Sequence, residues 1–377
     1  MEFILKLSNR NRIIFIFLSI VVVGFFIQTI SKGLSNSCDL MWQPSKLFWD
    51  GINHYEYQMR TGDVFLGCQH GRYGHFLFIF LYPITLVEWE QAKIMWIALN
   101  VFFALSIPIL LCRFNKISTL STYLIIGIFL TCHPTRMTLN LGQNSLMMLF
   151  FLMLPFLKVS SGYKNFNLIF SGISYVKYST GYILFLNLLV EKKLKKLLLT
   201  SFLTIFGWLF YSYYTNSSLI ANFFEPLKMN FQDNYSRTGD LYSIMNIYFL
   251  KENNFTNKIL QLGIVLFGNL YFLYQIKNIK NKLAKLSVIC FLPLIFMPHS
   301  NYDYVLMLPL LIYVIKNYKF AVCKYGLYLT IYYFYFHRII RHLIDNDMFY
   351  QSGMFLFFTI FIIFFINHIK KNNLLSA

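Results

Sequence analysis

The residue best placed for acid–base chemistry is Asp39, a carboxylate that follows the first long apolar run of the chain. A carboxylate just outside a membrane span can act as a general base when a substrate hydroxyl reaches it. Asp50, Glu56 and Asp63 lie in the same polar stretch and compete for this role, and a solvated loop residue or a helix cap is the simpler interpretation of each. The sequence therefore indicates a possible acid–base site in the first loop.

A second candidate is Lys177, which lies in the middle of the apolar run 166–189. An ionisable group inside such a run costs about 3 kcal/mol on insertion scales, so it usually has a function. Lys164 and Lys192 flank the run, which predicts a hairpin of two short helices with Lys177 and Ser179 at its tip. There the ammonium could bind a phosphate on a lipid carrier, and snorkelling to the interface is the alternative.

Two further polar segments adjoin apolar runs. The Gly-Gln-Asn segment 142–144 opens one run, and free backbone N–H groups at a helix N-terminus attract anions. The segment 298–304 separates two later runs and contains His299 and Asp303, which could bind a phosphate and a sugar hydroxyl respectively. An ordinary capped turn is the alternative interpretation of each segment.

The elements that must position these residues are membrane helices. The chain is 57% hydrophobic and 13% charged, and its apolar runs approach or reach the ~20 residues that cross a bilayer. Because the runs are continuous, they exclude a transmembrane barrel, which would show short alternating segments. We predict an all-α polytopic integral membrane protein with about 11–13 transmembrane helices, forming one domain over residues 1–377.

The net charge of +18 is explained by the orientation of the chain in the membrane and does not indicate nucleic-acid binding. The basic residues form short clusters between apolar runs, as cytoplasmic loops do, and they do not gather on one domain. This pattern predicts an uncleaved first span, a cytoplasmic N-terminus and an external first loop over 31–75. Within that loop, 41–57 has the pattern of an interfacial amphipathic helix. The apolar run 76–87 is too short to span and is read as partial or re-entrant.

The six cysteines fall into two groups. Cys38 and Cys68 lie in the first loop and could form a disulfide in an oxidising compartment, or remain as thiols. The other four lie in or beside apolar runs, where inert packing is expected: Cys112, Cys132, Cys290 and Cys323. No cluster of Cys and His has the spacing of a metal site.

These motifs, in this order, resemble the integral-membrane enzymes of glycosyltransferase family 87. The family's first loop runs from an Asp through spaced aromatic and small residues to Gly and Tyr, which corresponds here to Asp39, Trp42, Ser45, Phe48, Gly51 and Tyr55. The later matches are the Gly-Gln-Asn of 142–144, Lys177 before a basic loop, and Pro298 with Ser300. The family's Tyr-Pro-Pro is replaced by Tyr-Gly-His at 73–75.

The resemblance covers about residues 12–315, and it implies a fold and a reaction. The fold would be of the GT-C type, with a core over about 12–215 and variable C-terminal helices over about 258–370. The enzyme would move a hexose such as mannose, with inversion, from a polyprenyl-phosphate donor to a lipid or glycan acceptor at the external face. Neither a metal nor another cofactor is implied.

The resemblance also implies roles for individual residues. Asp39 would be the catalytic base. The donor phosphate and lipid carrier would be bound by Lys177, Gln143, Asn144, His299 and Arg72. The sugar or acceptor would be bound by Trp42, Gln43, Tyr55, Tyr302 and Asp303.

Two other functions fit the same architecture. A lipid-linked sugar flippase or transporter would place polar groups near the bilayer midplane on broken helices, whereas the polar groups here concentrate near the predicted external loops. A glycan polymerase or ligase would be favoured by arginine-rich external loops, and the chain has few external arginines.

Overall fold

The prediction of an all-α membrane protein is confirmed by the computed structural model. The structure describes residues 9–61, 73–158, 160–232, 239–248, 255–344 and 347–375. Helices make up 84% of it, and none of the described residues forms a strand.

The helices are numbered here in chain order. The first nine are α1 (Asn9–Asn36), α2 (Trp42–Trp49), α3 (His54–Thr61), α4 (Phe76–Phe80), α5 (Tyr82–Thr85), α6 (Trp89–Phe114), α7 (Thr119–Thr131), α8 (His133–Leu141) and α9 (Ser145–Met153). The middle of the chain forms α10 (Lys164–Ser171), α11 (Tyr178–Val190), α12 (Leu194–Tyr214), α13 (Leu219–Gln232), α14 (Leu241–Tyr248) and α15 (Phe255–Ile276). The last helices are α16 (Lys282–Phe296), α17 (Leu308–Lys316), α18 (Ala321–Ile331), α19 (His337–Leu343) and α20 (Asp347–Leu375).

Short stretches of tighter or wider helix connect some of these elements. Four are 3-10 helices, at Leu154–Phe156, Ser161–Tyr163, Gly172–Val176 and Asn301–Met307, and one is a π-helix at Tyr332–Phe336.

Five helices of the described chain are long and apolar enough to cross a membrane. They are the apolar parts of α1, α6, α12, α15 and α20. The pair α8 and α9 passes the same test together but is bent by 115°, as a broken span or a re-entrant loop would be. Several apolar runs thus form short or interrupted helices, and the expected total of 11–13 spans stays a prediction.

Two short helices form the centre of the bundle. All residues of α16 from Leu283 to Phe296 are buried, and so are residues 308–314 of α17. A helix that is apolar on every side must be surrounded by other helices or by lipid, and neighbouring helices surround these two. By contrast, α1 leaves large apolar side chains exposed, including Ile13 at 68% and Ile20 at 66%, which suits contact with lipid.

The first loop contains two helices instead of the single interfacial helix expected over 41–57. Gly51, with a φ of +77°, separates α2 from α3. The indole N–H of Trp42 donates to Val87 O at 3.1 Å, and that of Trp49 donates to Phe78 O at the same distance. These indoles are held by the protein itself, since α2 packs on α4 and α5, and the interfacial position of the segment stays a prediction.

The segment 76–87 does not form one helix. Its two short helices, α4 and α5, meet at Leu81. Twelve residues of helix would span about 18 Å, whereas the hydrocarbon core is about 30 Å thick. The structure therefore agrees with a partial element packed beneath the first loop.

The predicted break at Lys177 is confirmed. The 3-10 turn Gly172–Val176 precedes it, α11 follows it, and Lys177 itself has an extended conformation with φ −106° and ψ 92°. Tyr175 packs with Leu184 and Leu188. In a straight helix Tyr175 and Leu188 would be about 20 Å apart, so the chain must fold back at Lys177.

The close crossing of α12 over α4 generates a prediction. A Cβ atom at Gly207 would lie 2.7 Å from Phe76 N and 2.8 Å from Phe76 Cα. Because main-chain atoms cannot move aside cheaply, Gly207→Ala should lower the melting temperature of the detergent-purified protein by several degrees. Gly263→Ala in α15, where a Cβ atom would meet nothing within 4 Å, is the matched control and should leave it unchanged. Equal melting temperatures for both variants would contradict the close crossing.

Candidate active site

Four segments that are distant in sequence meet at one end of the bundle, which we call the site end. The main-chain N–H of Asp39 donates to Leu141 O at 2.9 Å, which joins the first loop to the turn between α8 and α9. Ser145, the first residue of α9, donates its hydroxyl to Asp303 Oδ1 at 2.6 Å. Asp303 also forms an ion pair with Lys177. Asp39, the Gly-Gln-Asn turn, Lys177 and Asp303 therefore lie together at the site end.

The turn at residue 142 strongly favours glycine. Gly142 has a φ of +72°, in the left-handed region that side chains with a Cβ atom rarely adopt. A Cβ atom there would also lie 2.2 Å from the hydroxyl oxygen of Ser37. Trp96 donates its indole N–H to Gly142 O at 2.7 Å, and Gln143 N donates to Thr138 O at 2.9 Å. These contacts fix the direction in which α9 begins.

Tyr73 connects the first loop to this turn. Its hydroxyl donates to Gln143 Oε1 at 3.3 Å, and its main-chain oxygen accepts from the hydroxyl of Tyr55 at 2.5 Å. Burial raises the pKa of Tyr73 well above its usual value, and the negative charges of Asp39 and Asp303 raise it further. Tyr73 is therefore a protonated group that lies within electrostatic reach of both carboxylates.

Lys177 is buried, and its ammonium group is surrounded by defined partners. It pairs with Asp303, donates to the hydroxyl oxygen of Ser145 at 3.2 Å, and lies 4.8 Å from the centre of the Tyr302 ring. Its location inside an apolar run is thus explained by a buried ion pair and not by snorkelling to the interface.

Asp303 is held on both of its oxygens. Its Oδ1 faces Lys177 and Ser145, and its Oδ2 accepts from Ser300 N at 3.0 Å as part of a capping box. Burial alone would raise the pKa of this carboxyl, but the charge of Lys177 and the hydrogen bonds outweigh it and hold the pKa below its ordinary value. Asp303 is therefore ionised at neutral pH, as a partner of Lys177 must be.

Several buried side chains among the described residues carry polar atoms without a hydrogen-bond partner, and one of them, His299, lies close to the ion pair. Asn144 is fully buried before α9, and its amide lies close enough to the Tyr73 hydroxyl to lower the pKa of that phenol. His299 lies with Nδ1 3.1 Å from Met297 O, while its Nε2 lacks a partner. Buried polar groups are normally paired, so unpaired atoms beside an ion pair suit contact with a ligand.

The polar groups of two other predicted residues are used within the protein. Tyr55 is fully buried and donates to Tyr73 O. Trp42 is 6% exposed, its N–H donates to Val87 O, and Lys46 lies 4.8 Å from its ring centre. Both residues support the first loop, and their contact with sugar stays a prediction.

The remaining predicted residues are partly exposed or lie outside the described chain. Gln43 and Tyr302 are partly exposed. Arg72 and Cys68 fall outside the described residues. Cys38 is disulfide-bonded. The other four cysteines are free and buried: Cys112, Cys132, Cys290 and Cys323. Within the described chain, no group of three His, Cys, Asp or Glu side chains has the arrangement of a metal site.

Sequence reasoning missed two residues of the site. Ser145 follows the Gly-Gln-Asn motif directly, and its position at the start of an apolar run was a usable signal for a polar contact at a helix N-terminus. Tyr73 lies in the segment that corresponds to the family's Tyr-Pro-Pro, but nothing in the sequence indicates its contact with Gln143, which is 70 residues away.

The ion pair of Lys177 and Asp303 predicts a pattern of stabilities. Asp303→Asn leaves a buried ammonium without its counter-charge, which costs about 3–5 kcal/mol, so the melting temperature in detergent should fall sharply. The double variant Lys177→Met/Asp303→Leu removes both charges and should recover most of the loss. Glu90→Gln is the control: Glu90 pairs with Lys93 at 2.7 Å but is 75% exposed, so its loss should cost about 0.5 kcal/mol or less. An Asp303→Asn variant as stable as the Glu90→Gln variant would contradict a buried pair.

Comparison with known proteins assigns the chain to a family. The model of glycosyltransferase family 87 matches residues 72–298, which is more than half of the chain and includes the Gly-Gln-Asn turn and Lys177. No curated protein and no solved structure gives a significant match. The family match, on an all-α chain with several apolar spans, shows that this membrane protein belongs to glycosyltransferase family 87.

Proposed function

We propose that this glycosyltransferase moves a hexose such as mannose from a polyprenyl-phosphate donor to a hydroxyl of a lipid or glycan acceptor, with inversion, at the external membrane face. The observation that carries the proposal is the hydrogen bond from Asp39 N to Leu141 O, which holds the main chain of Asp39 beside the turn that contains Gln143. The Asp39 carboxylate also lies near enough to raise the pKa of Tyr73, which binds Gln143. Family membership favours sugar transfer over a flippase or transporter.

In this mechanism Asp39 is the general base. Its carboxylate takes the proton of the acceptor hydroxyl while that oxygen attacks the anomeric carbon of the donor. The bond from the anomeric carbon to the phosphate oxygen breaks, and polyprenyl phosphate leaves as an anion. A single displacement of this kind inverts the anomeric centre. Asp50 is exposed at the end of α2, so it is a weaker candidate for the same role.

The start of α9 is suited to the leaving phosphate. Free main-chain N–H groups and the helix dipole favour an anion at a helix N-terminus. Here the buried amide of Asn144 precedes the helix beside the Tyr73 hydroxyl, and the ammonium of Lys177 lies against Ser145. Positive and donor groups fixed near the departing oxygen stabilise the charge that develops on it.

His299 suits a hydroxyl better than a phosphate. Burial lowers the pKa of His299, although the charges of Asp240 and Asp303 oppose this, so the ring is neutral at physiological pH. With the Nδ1 proton directed at Met297 O, the buried Nε2 is an acceptor. We therefore reassign His299 from the donor phosphate to a hydroxyl of the sugar or acceptor, alongside Tyr302.

Two features support an external site. Cys38, next to Asp39, is disulfide-bonded, and disulfides persist in oxidising compartments. The opposite end of the bundle carries lysines such as Lys282 at the start of α16 and Lys316 at the end of α17. Lysine-rich ends are typical of the cytoplasmic side.

The role of Asp39 is tested by substitution. Asp39→Asn removes the base while conserving shape, so transfer from radiolabelled polyprenyl-phosphate sugar in membranes should fall by roughly 10²- to 10⁴-fold. Asp50→Asn makes the same change on an exposed residue of the same loop and should retain near wild-type activity. Full activity of the Asp39→Asn variant, at equal expression and membrane insertion, would exclude Asp39 as the base.

The membrane side of the site is tested by labelling. Ile52 lies exposed in the first loop and Lys319 lies exposed just after α17. In intact cells a membrane-impermeant maleimide should label an I52C variant, whereas a K319C variant should react only after the membrane is permeabilised. Maleimide labelling of the native cysteines should be low, because the four free cysteines of the described chain are buried. The reverse pattern would place the site on the cytoplasmic side.

A further inference from the structure

Five lysines line one cavity at the end of the bundle opposite the site. The cavity has a volume of about 570 Å³. Its basic residues come from four separate parts of the chain: Lys116, Lys158, Lys280, Lys282 and Lys316. A cavity of this size holds a small molecule and not only a single ion.

The position of the cavity follows from the helices that line it. The helix α16 begins there at Lys282 and ends at Phe296, shortly before His299 and Asp303. The helix α17 runs the opposite way and ends at Lys316. Fifteen residues of α-helix span about 22 Å, so the cavity and the candidate active site are separate places.

The four lysines other than Lys280, which has a further interaction within the protein, meet no carboxylate in the described lining of the cavity. None of the described residues that line it is acidic, and its neutral polar members are asparagines and Tyr313. Glu191, a carboxylate at the same end, is already paired with Lys193 and Lys285. Like charges that share a partly enclosed space repel each other, and an anion among them removes that repulsion.

Main-chain oxygens hold two of the lysines at the cavity without neutralising them. The ammonium of Lys282 donates to Leu157 O at 3.2 Å, and that of Lys316 donates to Asn115 O at 2.8 Å. A carbonyl oxygen fixes the direction of an ammonium group but leaves its charge available. The main chain thus orients two of the five lysines of the cavity.

We propose that this cavity binds a phosphate-bearing anion. Phosphate groups suit several lysines at once because each lysine acts as a point charge with rotatable donors. Phe114 at the end of α6 and Ile369 of α20 form apolar parts of the lining, which suit the hydrocarbon stem of a lipid. Basic pockets between membrane helices bind the head groups of anionic lipids such as cardiolipin. A soluble phosphate compound is the other source of the same chemistry.

The proposal is tested by ligand retention and thermal stability. Wild-type protein, purified in a neutral detergent, is incubated with cardiolipin, with phosphatidylcholine or with pyrophosphate. Bound lipid is then counted by native mass spectrometry, and the melting temperature is measured. Retention of cardiolipin but not phosphatidylcholine identifies a lipid head group. A saturable stabilisation by pyrophosphate without cardiolipin retention identifies a soluble phosphate compound. Binding of neither overturns the proposal.

Charge-neutral variants locate the binding. Lys158→Gln/Lys282→Gln and, separately, Lys116→Gln/Lys280→Gln should each reduce binding at least tenfold. The control Lys195→Gln/Lys319→Gln removes two exposed charges from the same end outside the cavity lining and should bind as wild type does. Equal losses in the control and the cavity variants would overturn the proposal, because binding would then follow overall charge. If the Lys158→Gln/Lys282→Gln variant does not elute as folded protein on gel filtration, binding by the Lys116→Gln/Lys280→Gln variant tests the proposal.

Discussion

The site depends on one constraint, which is that a charged lysine buried among membrane helices must meet an opposite charge where it lies. Lys177 satisfies it through Asp303, which is 126 residues away in the sequence. Two local features bring Lys177 and Asp303 together: the helix is broken at Lys177, and Asp303 lies in a capped 3-10 turn. Ser145 binds the same carboxylate oxygen, so the start of α9 is drawn to the pair. One ion pair thus organises three of the four segments of the site.

The fourth segment, the first loop, is held by main-chain contacts. The tryptophans of α2 donate to carbonyl oxygens of the segment 76–87, and Asp39 donates its own N–H to Leu141 O. These contacts fix the main chain of the first loop at Asp39. Under the proposed mechanism, proton transfer by Asp39 depends on this fixed geometry.

The sequence predicted those parts of the structure that follow from local chemistry. Lys177 within an apolar run predicted the helix break, and the Gly-Gln-Asn motif predicted the start of α9. Contacts between distant segments could not be predicted, because residue type does not tell which partner an aromatic side chain meets. Trp42 and Tyr55 read as ligand-binding aromatics, yet their polar atoms bind the backbone. The number of membrane-spanning helices could not be predicted from the sequence either, because broken and short helices have the same composition as continuous ones.

The hydrogen bond between Tyr73 and Gln143 has a consequence for the orientation of the Gln143 amide. A phenol with so high a pKa keeps its proton throughout the physiological range, so it acts as a permanent donor to Gln143 Oε1. The carbonyl oxygen of that amide is thereby occupied, and its NH₂ group is left to meet whatever enters the site. A side chain that elsewhere could rotate to offer either of its ends is thus fixed as a donor, and a donor is the end that an anionic phosphate requires.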